Sequence, residues 1–352
     1  MYDTQEKFNK LKDKREVLVL GIESSCDETA CAIVKNGRQV LSSVISTQIA
    51  IHRQFGGVVP EVASRNHTMA VTRCVDETLK KANLTMDDID AVAVTYGAGL
   101  AGALLVGVTA AKALAYATNK PLIKVNHIEG HISANYVQFP SLNPPFLALV
   151  ASGGHTLIID VEDYCSYKLM GGTTDDAIGE MFDKTARLLG LPYPGGPEVD
   201  LLAKQGQANI DFCHTHKSVN GDLNLSYSGL KTAVVNYLHN AMQRGEQVKK
   251  EDVCASITKQ AVDLLVSTVM EAAARADRKT IVLAGGVAAN SFLREKLKSE
   301  GEKRGYVVLF PAPVLCTDNA VMIAARAYFS IKEGKDEAFL DLNADPSLRT
   351  GV

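Results

Sequence analysis

The chain has 352 residues, of which 46% are hydrophobic and 22% are charged, and its net charge at pH 7 is -3. This composition is typical of a globular protein long enough for two domains. The balance of charge excludes a globally basic, histone-like surface, so any contact with RNA would need a local patch or a partner protein.

The first residues and the cysteines bear on the compartment in which the protein works. Residues 1–15 mix acidic and basic side chains and lack the apolar core of a signal peptide, so we expect a mobile extension on a cytoplasmic protein. Seven cysteines are scattered without a CxxC pair, and their number is odd, which argues against a disulfide framework or a cysteine zinc site. A reducing compartment fits this pattern.

Apolar strand patterns recur along the chain, each followed by a Gly-rich or polar turn and a helical pattern. The predicted strands are residues 16–23, 91–96, 121–125, 146–152, 280–287 and 305–310. Strands that alternate with helices predict an α/β fold.

A weak internal repeat divides the chain. Residues 18–34 and 147–161 share one plan, in which two apolar strands flank a turn of small and polar residues. This repeat predicts two related lobes, with consecutive prolines in residues 141–146 as the hinge between them. The predicted organisation is an extension at 1–15, a first lobe at 16–143 plus 316–352, and a second lobe at 144–315.

Gly- and Ser-rich turns occur in both members of this repeat, in residues 21–34 and 150–159. Backbone N–H groups in such turns, together with Ser and Thr hydroxyls, can hold phosphate oxygens, and Glu23 or Asp27 could hold a metal ion or water nearby. Many ordinary hairpins turn with the same residues. Because the turn occurs on both lobes, the pair favours a nucleotide in the cleft.

The segment GAGLAG, residues 97–102, is a literal GxGxxG between a predicted strand and a helix. A dinucleotide-binding turn would follow the first strand of its domain, and the next strand would end in Asp or Glu; neither condition is met here. Close helix-to-strand packing explains these glycines better. The apolar run that continues to residue 117 is broken by Lys112, which predicts a buried helix and no membrane span.

The segment VNHIEGHI, residues 125–132, carries two histidines four residues apart. On a helix, His127 and His131 lie one turn apart on the same face and can share one metal ion. An HExxH zinc protease places its glutamate directly after the first histidine, whereas Glu129 comes one residue later and projects from another face. We therefore expect Asn126 and Glu129 to form a capping box, and the histidines to be a metal pair or ordinary packing residues.

A third metal ligand is available in CTDNA, residues 316–320. Asp318 follows the last predicted strand and precedes a helical pattern at 319–334, which we expect to pack back on the first lobe. Two histidines and one carboxylate would leave positions open for substrate oxygens, and would suit iron(II) as well as zinc. The alternative role for Asp318 is the N-cap of that helix.

Further segments carry side chains suited to a nucleotide or to RNA, although each also has an ordinary structural explanation. Asp183 and Asp200 could accept hydrogen bonds from ribose hydroxyls, and the glycine pair before Asn290 would let a flat base approach the backbone. Lys231 could contact an anion, and the charged residues 293–306 could contact RNA. The ordinary explanations are surface charge, a strand-to-helix turn, a helix start and a solvated helix face.

Nine segments, taken in this order, resemble the bacterial tRNA adenosine threonylcarbamoyltransferase family, once labelled O-sialoglycoprotein endopeptidases. They are GIESSCDETACAIV, FGGVVPEVASRNH, AGLAGALLVGV, NHIEGHI, VASGGHT, FDKTARLLGLPYPGGP, SYSGLKTA, AGGVAAN and CTDNA, and the resemblance covers roughly residues 17–334. The resemblance implies an actin-like α/β fold of the sugar kinase and heat-shock ATPase class, with two lobes that each contain a ribonuclease H-like mixed sheet flanked by helices.

The resemblance also implies an activity and a site. The activity is transfer of threonylcarbamoyl from threonylcarbamoyl-adenylate to the exocyclic amine of the adenosine beside the anticodon, in tRNAs that read codons starting with A. The implied ligands of one divalent metal ion, iron(II) in preference to zinc, are His127, His131 and Asp318. The implied contacts to a nucleotide in the cleft, as threonylcarbamoyl-adenylate, AMP or ATP, are Val150, Ala151, Ser152, Gly153, Gly154, Asp183, Gly196, Asp200 and Asn290.

Partners are implied in the same way: tRNA, a degenerate paralogue that forms a heterodimer, a small P-loop ATPase, and a separate synthase that makes the adenylate donor. Residues 55–67 are a candidate surface for a partner or for tRNA. Ala151 is a mild departure from the family's VSGGH-type stretch, and no general base is identified. The residues alone leave two alternatives open, a metalloprotease and a non-catalytic actin-like scaffold that binds a nucleotide.

Overall fold

A computed structural model describes residues 2–212, 216–217 and 221–351. The chain forms two compact units. The first comprises Met1–Pro144, Glu162–Tyr167 and Val314–Val352, and the second comprises Pro145–Val161 and Lys168–Pro313.

The helices and strands follow one another in the alternation that the sequence predicts. Up to residue 144 they are α1 (Gln5–Asp13), β1 (Leu18–Glu23), β2 (Glu28–Lys35), β3 (Gln39–Thr47), α2 (Ile49–Arg53), α3 (Pro60–Ala82), β4 (Ala91–Gly97), α4 (Ala101–Thr118), β5 (Leu122–Asn126) and α5 (His127–Gln138). From there to residue 312 they are β6 (Phe146–Ala151), β7 (Thr156–Asp163), β8 (Ser166–Gly172), α6 (Ile178–Leu188), α7 (Gly195–Ala203), β9 (His216–Lys217), β10 (Leu225–Ser226), α8 (Ser228–Arg244), α9 (Lys250–Arg275), β11 (Thr280–Ala284), α10 (Ser291–Lys303) and β12 (Val307–Leu309). The last elements are α11 (Pro313–Cys316), α12 (Ala320–Glu333) and β13 (Glu337–Ala338).

The first unit is built on a mixed sheet with the strand order β13-β5-β4-β1-β2-β3. The central strand β1 pairs antiparallel with β2 and parallel with β4, so that Leu18 lies opposite Lys35 and Val19 opposite Ala91. Strands β4 and β5 are also parallel, so their carboxyl ends lie at the same edge of the sheet. Helix α5 begins directly at the carboxyl end of β5.

Helices cover both faces of this sheet, which explains why β1 is apolar along nearly its whole length. Successive side chains of a strand point to opposite faces. Val19 accordingly packs with residues of α1, α5 and α12, whereas Leu20 and Ile22 pack with residues of α3 and α4.

The second unit repeats this plan. Its main sheet has the order β12-β11-β6-β7-β8, with β6 antiparallel to β7 and parallel to β11. The expected pair of related hairpins is confirmed, because β1 and β2 in the first unit correspond to β6 and β7 in the second.

The N-terminal segment differs from the expectation of a mobile extension. Residues 5–13 form α1, and Phe8 and Leu11 are 3% and 7% exposed within the core that contains α12. The ammonium of Lys332 donates to the carbonyls of Leu11 and Lys12 at 3.2 and 2.8 Å, which caps the last turn of α1. Burial of apolar side chains three residues apart fixes this segment on the domain.

Two helices, α4 and α9, are long and apolar enough to cross a membrane by length and composition. Both contribute buried side chains to their units, including Leu104 and Val108 from α4 and Leu265 and Val269 from α9. Six cysteines within the described residues are free thiols, and Cys213 lies outside those residues.

Candidate functional site

The candidate metal centre begins where β5 passes into α5. The Asn126 side chain accepts a hydrogen bond from the backbone N–H of Ile128 at 2.9 Å and so caps the helix. Its Nδ2 also donates to the carbonyl of Arg349 at 3.2 Å. This cap makes His127 the first residue of the helix and places His131 one turn later, with the two rings 4.5 Å apart between centroids.

Three potential ligand atoms converge at this point. His127 Nε2 and His131 Nε2 lie 3.1 Å apart, and Asp318 Oδ1 lies 3.2 Å from His131 Nε2 and 3.6 Å from His127 Nε2. Asp318 occupies the bend between α11 and α12. The N-cap of α12 is its neighbour Asn319, whose side chain accepts from the N–H of Met322 at 3.0 Å.

The donor set and its spacing fit one divalent metal ion. Ligand atoms at about 2 Å from a tetrahedral ion are separated from one another by about 3.3 Å. The three observed separations bracket that value. The residues described by the structure contain this one group of three His, Cys or carboxylate ligands.

Glu23 contacts the imidazole of His127 at Nδ1, on the side opposite the other two candidate ligands. Glu23 Oε2 lies 3.3 Å from His127 Nδ1 and accepts from the Thr95 hydroxyl at 2.5 Å, and its carboxylate is fully buried. The Ser25 hydroxyl is 3.2 Å from the same Nδ1. A carboxylate in this position accepts the Nδ1 proton, which turns the lone pair of Nε2 toward His131 and Asp318.

Electrostatics at this centre favour a cation. Burial alone would lower the pKa of His127, but the carboxylates of Asp318 and Glu23 outweigh burial and raise it to about 9. His131 Nδ1 is buried and has no hydrogen-bond partner among the described residues. Two carboxylates around two imidazoles therefore make a site that attracts positive charge.

Glu129 does not have the role that the sequence suggested. The expected capping box is wrong in its second half, because Glu129 Oε2 accepts from Arg326 Nε at 2.8 Å instead of capping α5. Asn126 alone supplies the side-chain cap. The attraction of a buried guanidinium on α12 is stronger than that of one backbone N–H.

The predicted donor-binding turn, Val150 to Gly154, closes the hairpin between β6 and β7. Its geometry is set by Ser152, whose N–H donates to the His155 carbonyl at 2.8 Å and whose hydroxyl accepts from the His155 N–H at 3.1 Å. Gly285, with φ of +86°, lies against the carbonyl of Ala151, and Gly179 lies against the carbonyl of Ser152. The hairpin turn, the start of α6 and the turn after β11 are thus brought together.

The other predicted donor contacts already make hydrogen bonds within the second unit. Asp183 Oδ1 accepts from the N–H groups of Gly195 and Gly196 at 2.7 and 3.2 Å. Burial raises the pKa of Asp183, and these two N–H groups offset part of that effect. Asp200 Oδ1 accepts from the hydroxyl of Ser291 at 2.8 Å, and Asn290 caps α10 through the N–H of Leu293 at 2.9 Å.

Open space adjoins the glycines of these loops. A Cβ built on Gly153, Gly154, Gly196 or Gly286 would meet no atom within 4 Å. The backbone at these four positions is therefore accessible to a ligand.

Most of the cations that the sequence suggests for RNA contact lie near acids. Lys231 Nζ lies 3.7 Å from Asp176, and in the helix α10 Lys296 pairs with Asp263 and Arg304 with Glu300. This helix surface carries balanced charge, as the ordinary explanation predicts.

Sequence reasoning missed two supporting residues. Thr95 is a buried polar residue within a largely apolar strand, and Arg326 is a buried cation within a largely apolar helix. A polar residue at an otherwise apolar, buried position is the one signal that marks both.

Comparison with known proteins gives close relatives. Residues 39–325 match the family model described as tRNA N6-adenosine threonylcarbamoyltransferase. A protein of that name from Clostridium perfringens (strain SM101) is 54% identical over 334 residues, with 95% of this chain and 98% of that protein covered. One from Clostridium novyi (strain NT) is 53% identical over 338 residues, with 96% and 99% covered.

The fold also resembles that of solved structures whose sequences are distant from this chain. Full-length HypF in its phosphate- and nucleotide-bound form superposes with a TM-score of 0.62 at 14% identity, over 92% of this chain and 47% of that one. Component A of (R)-2-hydroxyglutaryl-CoA dehydratase from Acidaminococcus fermentans gives a TM-score of 0.52 at 17% identity, over 90% and 99%. The expected actin-like fold, with two mixed sheets flanked by helices, is confirmed.

Proposed function

Because the chain belongs to the tRNA N6-adenosine threonylcarbamoyltransferase family, we propose that it transfers the threonylcarbamoyl group of threonylcarbamoyl-adenylate to N6 of the adenosine beside the anticodon, in tRNAs that read codons starting with A. The protein is accordingly an acyltransferase that modifies tRNA, and a metalloprotease or a non-catalytic scaffold is not favoured. The observation that carries the mechanism is the convergence of His127, His131 and Asp318.

These three side chains would hold one divalent metal ion. Iron(II) suits two imidazoles and one carboxylate with open positions, and zinc is the alternative. When bound, the ion supplies positive charge to the donor's phosphate oxygens and to the leaving adenylate. Glu23 keeps His127 in the tautomer and orientation that such a ligand needs.

The donor would be bound by the second unit. The backbone N–H groups of Gly153 and Gly154 are suited to phosphate oxygens, and the open backbone at Gly196 and Gly286 leaves room for the nucleoside. Asp183, Asp200 and Asn290 fix the loops around that space through the hydrogen bonds described above. We therefore assign metal ligation to a lobe of residues 16–143 plus 316–352, and donor binding to a lobe of residues 144–315.

The chemistry needs an activated and well-placed electrophile. The lone pair of the adenine N6 amine is delocalised into the ring, which makes the amine a poor nucleophile. In the proposed reaction N6 bonds to the carbamoyl carbon of a carbamoyl-phosphate mixed anhydride, the bond from that carbon to the phosphate oxygen breaks, and AMP leaves. N6 releases one proton to solvent in the same step. A donor held by fixed loops lowers the entropic barrier to this step.

Companion proteins would complete the tRNA surface. The net charge is -3, and most basic side chains of α10 lie near acids, so this helix offers little basic field of its own to tRNA. We propose a paralogue that forms a heterodimer, with residues 55–67 as a candidate surface, together with a small P-loop ATPase and a synthase that delivers the donor. All of these would act in the cytoplasm.

Reconstitution tests the proposal. Purified protein would be mixed with threonylcarbamoyl-adenylate and tRNA, with and without each companion, and threonylcarbamoyladenosine would be measured by mass spectrometry of digested tRNA. We expect modification by the unaltered protein and none by His127→Ala combined with His131→Ala, which should also lack bound metal. His239→Ala, at an exposed histidine on α8, is the matched control.

Normal tRNA modification by the double variant would refute the metal mechanism. Metal-dependent cleavage of a glycoprotein would support a protease instead. Binding of ATP and companions without any transfer would support the scaffold.

A further inference from the structure

The metal ligands come from two segments that are far apart in the sequence. His127 and His131 lie on α5, whereas Asp318 lies just before α12. The spacing of the ligand atoms therefore depends on how α12 is placed against α5. Sites of this kind tolerate displacements of only about 0.5 Å.

The two helices meet at Gly130, between the two histidines. A Cβ on Gly130 would lie 2.9 Å from Ile323 Cδ1 and 3.4 Å from Met322 Cγ, so α12 runs directly beside this glycine. At about 100° per residue, the histidines project to one side of Gly130 and Glu129 to the other. The contact thus has the metal ligands on one flank and Glu129 on the opposite flank.

On that opposite flank, Glu129 is joined to α12 by a buried ion pair. Glu129 Oε2 lies 2.8 Å from both Nε and Nη2 of Arg326, whose side chain is 4% exposed. The guanidinium also donates to Asp336 Oδ2 at 3.2 Å, to Cys165 Sγ at 3.2 Å and to the Ser330 hydroxyl. Of these partners, Glu129 alone belongs to α5, and the other three satisfy the remaining N–H groups of the guanidinium.

Stability alone does not account for such a pair. Apolar side chains of the same volume often give equal or greater stability than a buried ion pair, because both charges must be removed from water. The pair instead constrains orientation, because the planar guanidinium of Arg326 can reach the carboxylate oxygen of Glu129 in only a few relative positions of the two helices. Its effect is to fix the register of α12 on α5.

We propose that Glu129 and Arg326 are positioning residues for the metal centre, which set the distance from Asp318 to His127 and His131 by locking α12 against α5. This inference rests on the proposed metal site. It gives the glutamate of the HIEGH segment a role that is neither that of a protease base nor that of a helix cap.

The test uses full-length protein freed of metal by a chelator and titrated with Co²⁺, whose d–d absorption reports coordination geometry. The variants are Glu129→Gln and Arg326→Met. The matched control is Asp336→Asn, which removes one charge from the other carboxylate that faces the same guanidinium. Thermal unfolding is measured for each protein, and the His127→Ala, His131→Ala double variant defines binding at the site.

We expect Glu129→Gln and Arg326→Met to weaken Co²⁺ binding by about 10- to 100-fold, which is typical for residues that orient ligands, and to change the d–d band. Asp336→Asn should leave the affinity within about twofold and the band unchanged, even if it lowers the melting temperature. Should Arg326→Met fail to fold, Glu129→Gln decides alone, since it leaves Arg326 paired with Asp336.

Wild-type affinity and an unchanged band in Glu129→Gln would overturn the proposal. Equal losses in Glu129→Gln and Asp336→Asn would also overturn it, because the pair would then be merely structural. If the unaltered protein binds no Co²⁺ beyond what the double-histidine variant binds, the proposed metal site itself fails, and this outcome is distinct from the other two.

Discussion

Glu23 Oε2 and His127 Nδ1 lie 3.3 Å apart, on the side of the imidazole that faces away from Asp318. Glu23→Gln removes the negative charge that accepts the Nδ1 proton, so we expect metal affinity to fall about 10- to 100-fold. Stability should fall by about 1–3 kcal/mol, since Thr95 and Ser25 also donate to this carboxylate. Competition with a chromogenic chelator measures the affinity. Glu61→Gln, at an exposed ion pair, is the control, and equal affinity in both variants would contradict the assignment.

Metal should stabilise the folded chain, because the three ligands converge only in the native state. At a free concentration 100 times the dissociation constant, one bound ion adds about 2.7 kcal/mol to the free energy of unfolding. We expect iron(II) under anaerobic conditions, or zinc, to raise the melting temperature, and a chelator to reverse the rise. The His127→Ala, His131→Ala protein should show no shift. A similar shift in that protein would mean that the ion binds elsewhere.

At Gly21 the first sheet lies in close contact with α12. A Cβ there would lie 2.6 Å from the Ala320 carbonyl oxygen and 2.8 Å from the Ala324 nitrogen, so Gly21→Ala forces helix backbone to move. We expect a loss of about 1–3 kcal/mol in denaturant unfolding and weaker metal binding, because Asp318 precedes this helix. Gly286→Ala, which points into open space, should change stability by less than about 0.5 kcal/mol. Similar losses in both would argue against a steric cause.

Phe8 anchors the N-terminal helix. We expect Phe8→Ala to cost about 3 kcal/mol in the free energy of unfolding, because the side chain is 3% exposed in the core with α12. Lys10→Ala removes only an exposed pair with Glu6 and should cost less than about 0.5 kcal/mol. A mobile extension would instead make the two substitutions equally harmless.

Gly196 tests the open space beside the predicted donor loops. Gly196→Val would fill part of that space while leaving the backbone N–H that donates to Asp183, so we expect AMP binding to weaken by about tenfold in calorimetry. Co²⁺ affinity should stay unchanged, because the metal ligands belong to the first unit. Unaltered AMP affinity would place the nucleotide elsewhere.

Much of this fold follows from local pattern. The apolar run at residues 16–23 predicted a strand, and the repeated hairpin predicted two related lobes, because apolar content and turn chemistry are local properties. The spacing of His127 and His131 placed both side chains on one face of a helix for the same reason. The role of Glu129 could not be read in this way, since its partner Arg326 is distant in the sequence and a capping box had equal local support.

For the N-terminal helix, the expectation of a mobile segment differs from the structure. Its charged composition suggested a mobile segment, yet the two apolar side chains at 8 and 11 were enough to attach it to the core. Composition describes the average of all residues in a helix, whereas burial depends on the residues of one face of that helix. Thr95 illustrates the same limit, because nothing in a single sequence distinguishes a strand hydroxyl that supports a ligand from one that merely packs.

The division of the chain has a consequence for synthesis on the ribosome. The second unit is inserted within the first, and Asp318, α12 and the Arg349 carbonyl that holds Asn126 are all made after it. Chains emerge from the N-terminus onward, and domains tend to fold as they appear. Helix α5, which is translated first, therefore lacks its neighbour α12 and the ligand Asp318 until the whole second unit has been synthesised.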